Sequence, residues 1–291
     1  MPIIKQALFY LKVSRPGLWF ATIWLYLLPT SQMSDIVYSL NFWVGLFYIC
    51  FPLNFLVYGW NDIADYEIDK QNPRKDSFWF GARGSKTQLH HLWKPILISQ
   101  LIFGPILIYF SGYWMALVLI ASVLINWLYN LPKYGLRTHP PFELICQVGY
   151  LLVVPISVLI NHTAMLPWQT YFYLLLFAIQ SHLIGEVMDI EPDRKSGRKT
   201  TATVIGMFYT KLLIICIVSL EVGLLFGVFK DFFFGGILAF GLLWLLIDLF
   251  IIYKSQRYTL QQMKLFAAMS NLVAIVSMAY VWYSGCLLSV G

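Results

Sequence analysis

The chain has 291 residues, of which 59% are hydrophobic, 18% aromatic and only 12% charged, with a mean hydropathy of +0.69. Soluble domains carry about 25% charged residues, so this much apolar surface excludes a water-soluble fold and requires lipid as the solvent. The formal net charge of +6 comes with no nucleic-acid-binding motif, and nucleic acid is set aside as a partner.

Residues 3–15, with Lys5, Lys12 and Arg15, read as a short amphipathic helix lying on the membrane surface. Nine apolar runs follow, near 16–34, 39–60, 93–111, 113–131, 141–160, 168–188, 209–229, 232–253 and 265–288. A span needs roughly 20 apolar residues, so the expected fold is all-α and integral to the membrane, with nine transmembrane helices. The third and fourth, and the seventh and eighth, are close enough in sequence to be tight hairpins. With nine spans, 19 of the 20 Lys and Arg fall on one side, leaving only Lys230 on the other. That bias places the N-terminus and the basic loops in the cytoplasm and the C-terminus outside, in the cell (plasma) membrane. Cys50, Cys146, Cys216 and Cys286 lie in separate apolar runs without ligand spacing and read as packing residues. The long first span, without a small-residue cleavage pattern, reads as a membrane helix rather than a signal peptide.

Nine of the 14 acidic residues fall in two short windows, 61–76 and 186–201. Asp62, Asp65 and Asp69 stand at i, i+3 and i+7, and so do Glu186, Asp189 and Asp193; on a helix each set forms one stripe. The windows are also in register with each other. A shift of 124 carries Asp62, Asp65, Glu67 and Asp69 onto Glu186, Asp189, Glu191 and Asp193. The same shift carries Lys70, Arg74 and Lys75 onto Arg194, Arg198 and Lys199. This implies one domain over 1–291 built from two parallel halves, roughly 16–137 and 141–264, plus a final helix. Both windows end helices of the same orientation, so the stripes can face each other at the cytoplasmic end.

Three carboxylates on one helix face repel each other and resist desolvation. Facing stripes make sense around Mg²⁺, which is usually held by one or two carboxylates plus substrate phosphates. Two or three Mg²⁺ with a diphosphate between the stripes would fit, with Lys70, Arg74, Arg194 and Arg198 on the remaining phosphate oxygens. A single such cluster normally means only a salt-bridged helix end; two clusters in register at membrane-helix ends point to a site. Asn54, Tyr58 and Asn61 extend the first stripe inward at i, i+4 and i+7. His182 is the counterpart of Tyr58 and stands four residues before Glu186, near where an acceptor would sit. Asn126, Tyr129, Asn130 and Lys133 form a third polar patch at the end of the fourth span.

The motif Asn61-Asp62-Ile-Ala-Asp65-Tyr-Glu-Ile-Asp69, the second motif Glu186-Val-Met-Asp189-Ile-Glu-Pro-Asp193 and the YxxxK element Tyr129-Asn-Leu-Pro-Lys133 together resemble the UbiA superfamily of intramembrane prenyltransferases. The resemblance covers nearly the whole chain. It implies nine helices around a central cavity that opens laterally to lipid, with caps over the active site. It also implies Mg²⁺-bound isoprenyl diphosphate, ionisation to an allylic carbocation, and attack by a lipophilic acceptor. By this resemblance Asp62, Asp65, Asp69, Glu186, Asp189 and Asp193 are the metal-site candidates, with Asn61 beside them. Tyr129, Lys133 and Asp193 are the catalytic candidates. Glu186 replaces the more usual Asp at its place. The stretches around Pro73 and Asp193 look closer to the carotenoid-elongating and archaeal-lipid branches than to quinone enzymes, although the loop Asp76–Gly81 departs from the carotenoid elongases. Two other classes remain open: a terpene cyclase with the same metal site, told apart by product without acceptor, and, more distantly, a membrane transporter.

Overall fold

A computed structural model describes residues 3–70, 72, 74–132 and 134–290. Among them every regular element is helical, apart from one isolated bridge between Ser77 and Gly81. Among the described residues, seven helices are long and apolar enough to cross a membrane.

The chain opens with α1 (Ile3–Val13) and α2 (Trp19–Leu27), the latter extended by single 3₁₀ turns at Pro16–Leu18 and Leu28–Thr30. The run expected at 16–34 is therefore shorter and in three pieces, because Pro16 and Pro29 each sit in a tightened turn. α3 (Leu40–Ala64) has a π-helical turn at Ile49–Leu53 around Pro52, which lacks a backbone donor. Side chains bond carbonyls within this turn. Asn54 Nδ2 donates to the oxygens of Ile49 (3.0 Å) and Cys50 (3.1 Å). Gln100 Nε2 donates to the Pro52 oxygen at 2.9 Å. A short α4 (Tyr66–Asp69) follows the bend at Asp65.

Next come α5 (Lys86–His90), closed by a Ser85/Gln88 capping box, then α6 (Trp93–Ser111), and α7 (Trp114–Asn130), which has 17 residues. α8 (Phe142–Asn161), α9 (Trp168–Ser196), α10 (Thr201–Gly227), α11 (Phe232–Ile252) and α12 (Leu260–Ser284) complete the bundle. α9 runs eight residues past the expected end of its span, so the second acidic window continues the membrane helix. α10 breaks at Gly206, whose φ of 84° and ψ of 165° suit only glycine. The first turns of α10 are thereby set at an angle to the span that follows.

The core lies where α2, α3, α8 and α9 meet, with Tyr26, Tyr48, Ile156, Ile160 and Leu174 essentially inaccessible. α6, α11 and α12 instead carry large exposed apolar side chains, such as Leu101 at 64% and Phe240 at 75%. In a bundle this apolar those faces meet lipid. Burying a charge is costly, and Lys211 inside the bundle is paired, whereas both carboxylate oxygens of the buried Glu221 lack a hydrogen-bond partner. Lys211 lies 2.7 Å from Asp248, whose other contact is the Tyr258 hydroxyl at 2.7 Å, and Lys211 also donates to the Lys254 oxygen at 2.9 Å.

The two chain ends lie at opposite ends of the bundle. Trp282 donates to Thr30 Oγ1 (3.2 Å) and Gln32 to the Ser284 oxygen (2.7 Å), tying the end of α12 to the far end of α2. Arg15, just before α2, sits instead with the acidic motifs.

Candidate active site

The first acidic motif does not stay on one straight helix. α3 ends at Ala64, and Asp65 takes φ −100° and ψ 11°, outside the helical region, before α4 begins. The expected stripe of Asp62, Asp65 and Asp69 is therefore bent at its middle residue, although the Asp69 amide still donates to the Asp65 oxygen at 2.9 Å. The second motif behaves as the spacing predicts: Glu186, Asp189 and Asp193 lie along the unbroken α9.

The bend lets basic groups reach the carboxylates from several elements. Arg15 donates to Asp62 Oδ1 at 2.8 Å, and Lys75 reaches the same oxygen at 2.6 Å and Asp69 Oδ2 at 2.7 Å. Arg137 bonds Asp65 Oδ1 and also donates to the Ala64 oxygen at 3.0 Å. Arg198 donates to Asp65 Oδ2 at 3.2 Å and lies 3.8 Å from Asp193. Arg74 bonds Asp189, whose second oxygen accepts from Asn72 Nδ2 at 3.1 Å. Residues separated by 124 thus exchange partners: Arg74 of the first window holds Asp189 of the second, and Arg198 of the second holds Asp65 of the first.

These charges are deeply placed. Asp62 is 1% exposed and Asp65 3%. Burial pushes the Asp69 carboxyl up to about 6; Lys75 opposes the rise while Asp62 and Asp65 add to it. For Arg198, burial alone would depress the guanidinium, but the charges of Asp65, Asp193 and Asp189 more than reverse this. Tyr129 stands inside the same network, with Arg198, Asp65, Arg137 and Glu186 as its charged neighbours. Its ring meets the edge of His182 at 6.3 Å, and His182 Nε2 lies 3.2 Å from Glu186. The Arg15 guanidinium covers the Tyr58 ring at 4.5 Å.

Glu186 has a second task. Its Oε2 accepts from the Ala202 amide at 2.9 Å, while Glu143 Oε1 accepts from the Thr201 amide (2.7 Å) and hydroxyl (2.5 Å). Two buried carboxylates therefore face the N-terminus of α10, where its unpaired N–H groups favour negative charge, and so fix the turn that carries Arg198.

Not every candidate joins the cluster. Asn54 is buried and its amide is committed to Thr22, Ile49 and Cys50 within the bundle. Lys70 pairs with Glu67 on an exposed turn, and Arg194 lies 3.8 Å from Glu191, also well exposed. Asn61 is half-buried one residue before Asp62. Lys133 lies outside the described residues. Conversely Arg15, Asn72, Lys75, Arg137 and Glu143 enter the site without having been singled out for it. Only Lys75 carried a signal, its place in the 124-residue register. Gly81 also borders it. A Cβ there would stand 3.1 Å from Arg15 Nε and 3.4 Å from Asp62 Oδ2, and its φ of 96° is the left-handed range that favours glycine.

The donor set suits a hard divalent cation. It is all carboxylate oxygen, and the buried Asp62 Oδ2 has no hydrogen-bond partner. Among the described residues, no three Asp, Glu, His or Cys side chains converge closely enough to enclose an ion alone. An ion here would need oxygens from a bound anion to complete its shell.

An all-helical membrane bundle whose buried acids and bases gather at one end defines the class. The UbiA prenyltransferase family model matches residues 18–272, and the chain belongs to that family. It is a prenyl-transferring enzyme of the membrane. A lycopene elongase/hydratase of Corynebacterium glutamicum is 28% identical over 206 residues, 66% of this chain and 68% of that protein. One from Haloarcula japonica is 28% identical over 206 residues, 68% and 67% of the respective chains. A UbiA homolog from Archaeoglobus fulgidus bound to DMAPP and Mg²⁺ superposes with a TM-score of 0.69 at 16% identity, covering 94% of this chain and 97% of that one. The same homolog bound to GPP and Mg²⁺ gives 0.66 at 17% identity, covering 93% and 97%.

Proposed function

We propose that the enzyme transfers a prenyl group from an allylic isoprenyl diphosphate to a lipophilic acceptor in the bilayer, with Mg²⁺ as cofactor and pyrophosphate as the leaving product. The observation that carries this is the crossed pairing of Arg74 with Asp189 and Arg198 with Asp65, which brings both acidic windows into one buried cluster. The fold neighbours bound to DMAPP or GPP with Mg²⁺ support the donor and the metal. The relatives' names favour a linear carotenoid acceptor and carotenoid biosynthesis.

In this reading Asp62, Asp65, Asp69, Asp189 and Asp193 hold the ions, with Glu186 contributing Oε1, the oxygen that faces His182. Bound Mg²⁺ supplies charge neutralisation at the diphosphate as the C–O bond breaks. Arg15, Arg74, Lys75, Arg137 and Arg198 exchange part of their carboxylate contacts for phosphate oxygens, and Arg137 and Arg198 stay anchored by Asp65. Tyr129 turns a ring face toward the allylic carbon and stabilises its developing positive charge. Lys133 is a further diphosphate ligand on the family motif alone. His182, linked to Glu186, sits where an acceptor would lose its proton.

Nine crossings in two parallel halves complete the proposal, with the acid site at the cytoplasmic face and the C-terminus outside. Chain ends at opposite ends of the bundle support an odd number of crossings, α2 and α7 being the two short ones.

The test is turnover of C5 to C20 allylic diphosphates in nanodiscs, with and without lycopene or a lipid extract, with Mg²⁺ or with excess chelator. Prenylated lipid formed only with acceptor, and lost on chelation, is the expected result. A cyclic hydrocarbon formed without acceptor would make the enzyme a cyclase. Pyrophosphate release indifferent to chelator would overturn the metal assignment.

A further inference from the structure

A cavity of about 330 Å³ opens on the outer side of the acid cluster, lined by Glu67 and Lys70 beside α4, Glu191 and Lys195 on α9, and Arg257 in the loop before α12. It holds roughly ten water volumes of ~30 Å³. We propose that this cavity is a docking site for magnesium pyrophosphate, where the product pauses between the inner site and the cytoplasm; this rests on the prenyltransferase reading above.

Three features carry the assignment. The first is the mixed charge of the lining. A magnesium pyrophosphate complex presents a hard cation and several phosphate oxygens together, so it needs carboxylates and ammonium or guanidinium groups in one place. Glu67 and Glu191 provide the former and Lys70, Lys195 and Arg257 the latter. The second is the repeat. Glu67 and Glu191 stand 124 residues apart, as the inner acids do. Arg257 stands 124 residues after Lys133, and Tyr253 stands 124 after Tyr129, so the second half carries its own Tyr-x-x-x-basic element. The third is position. Glu67 lies between Asp65 and Asp69, and Glu191 between Asp189 and Asp193, on the same two helix ends as the inner carboxylates. Their side chains point into the cavity on the outer side.

Basic loop residues alone reflect only membrane topology. Topology does not require that three of them, from three separate loops or helix ends, share one cavity with two glutamates from equivalent places in the two windows. Arg257 lies in a loop between two packed tyrosines. Tyr253 and Tyr258 pack edge to face at 5.5 Å on either side of it, and Tyr258 is fixed by Asp248 and Lys211.

The experiment is product inhibition. Turnover is measured in nanodiscs at fixed free Mg²⁺ against rising pyrophosphate, for the wild type, Lys195→Gln, Arg257→Gln and the double variant. The double variant is expected to raise the inhibition constant for pyrophosphate about tenfold or more, since each lost partner is a charge-assisted bond to phosphate. Turnover without added pyrophosphate should stay within about twofold, and the melting temperature should not move. An unchanged inhibition constant in the double variant overturns the assignment. So does a parallel collapse of turnover, which would place these groups at the inner site. If Asp65→Asn and Asp189→Asn keep full turnover, the assignment of the chemistry to the inner acid cluster fails; normal loss in those two with an unmoved inhibition constant fails only the docking site.

Discussion

Asp65 and Asp189 are repeat mates with opposite structural burdens, and substituting each by Asn separates catalysis from stability. Asp65 is 3% exposed and takes both Arg137 and Arg198. Asp65→Asn leaves two buried guanidinium groups with an amide oxygen between them. Removing one side of a buried charge pair costs about 3–5 kcal/mol. The amide retains one acceptor, so we take the lower end, about 3 kcal/mol. At roughly 2–3 °C per kcal/mol for a chain of this size, the melting temperature should fall by about 6–9 °C. Asp189 has a side chain 28% exposed and pairs with Arg74 and Asn72 nearer the surface. Water screens and replaces such a pair, so Asp189→Asn should cost about 1 kcal/mol or less. Turnover should nonetheless fall at least a hundredfold in both, because each removes a charge proposed to hold the metal–diphosphate complex. The assay pairs thermal unfolding at one scan rate in one detergent with prenyl transfer in nanodiscs. Equal losses of stability in the two variants, or retained activity in Asp189→Asn, would refute the reasoning.

Asn54→Leu should destabilise the protein by about 2–3 kcal/mol, since three hydrogen bonds around the Pro52 turn are lost and two carbonyls go unpaired. The KM for diphosphate should be unchanged; a rise of tenfold would put Asn54 back among substrate ligands. Gly81→Ala should cut turnover more than tenfold with a modest fall in melting temperature, because the new methyl group crowds Arg15 and Asp62 from a strained backbone. Wild-type turnover in that variant would show that the 76–81 loop stands clear of the chemistry. A reporter fused after residue 291 should read outside the cell, and a cytoplasmic reading would refute nine crossings.

Much of this protein is determined by local sequence. Hydropathy located the seven long apolar helices, because a helix in lipid must satisfy its own backbone and cover itself with apolar side chains whatever its neighbours do. Acidic residues are rare and costly in such a chain, so two windows of them in a 124-residue register pointed to the candidate site. α9 kept its stripe because the helix runs on through Pro192 as far as Ser196. The tertiary structure alone decided the rest. The stripe on α3 bends at Asp65, where Arg137 and Arg198 converge from distant segments, and no spacing in the first window records their approach. Asn54 and Asn61 look alike on a helical wheel. One bonds Thr22 of α2 and two carbonyls of the Pro52 turn, and the other stands half-buried beside Asp62, a difference set by where α2 packs. That Arg74 serves Asp189 while Arg198 serves Asp65 follows from two helix ends lying side by side. Charge pairing across such a contact depends on distance in space, which periodicity along the chain does not encode.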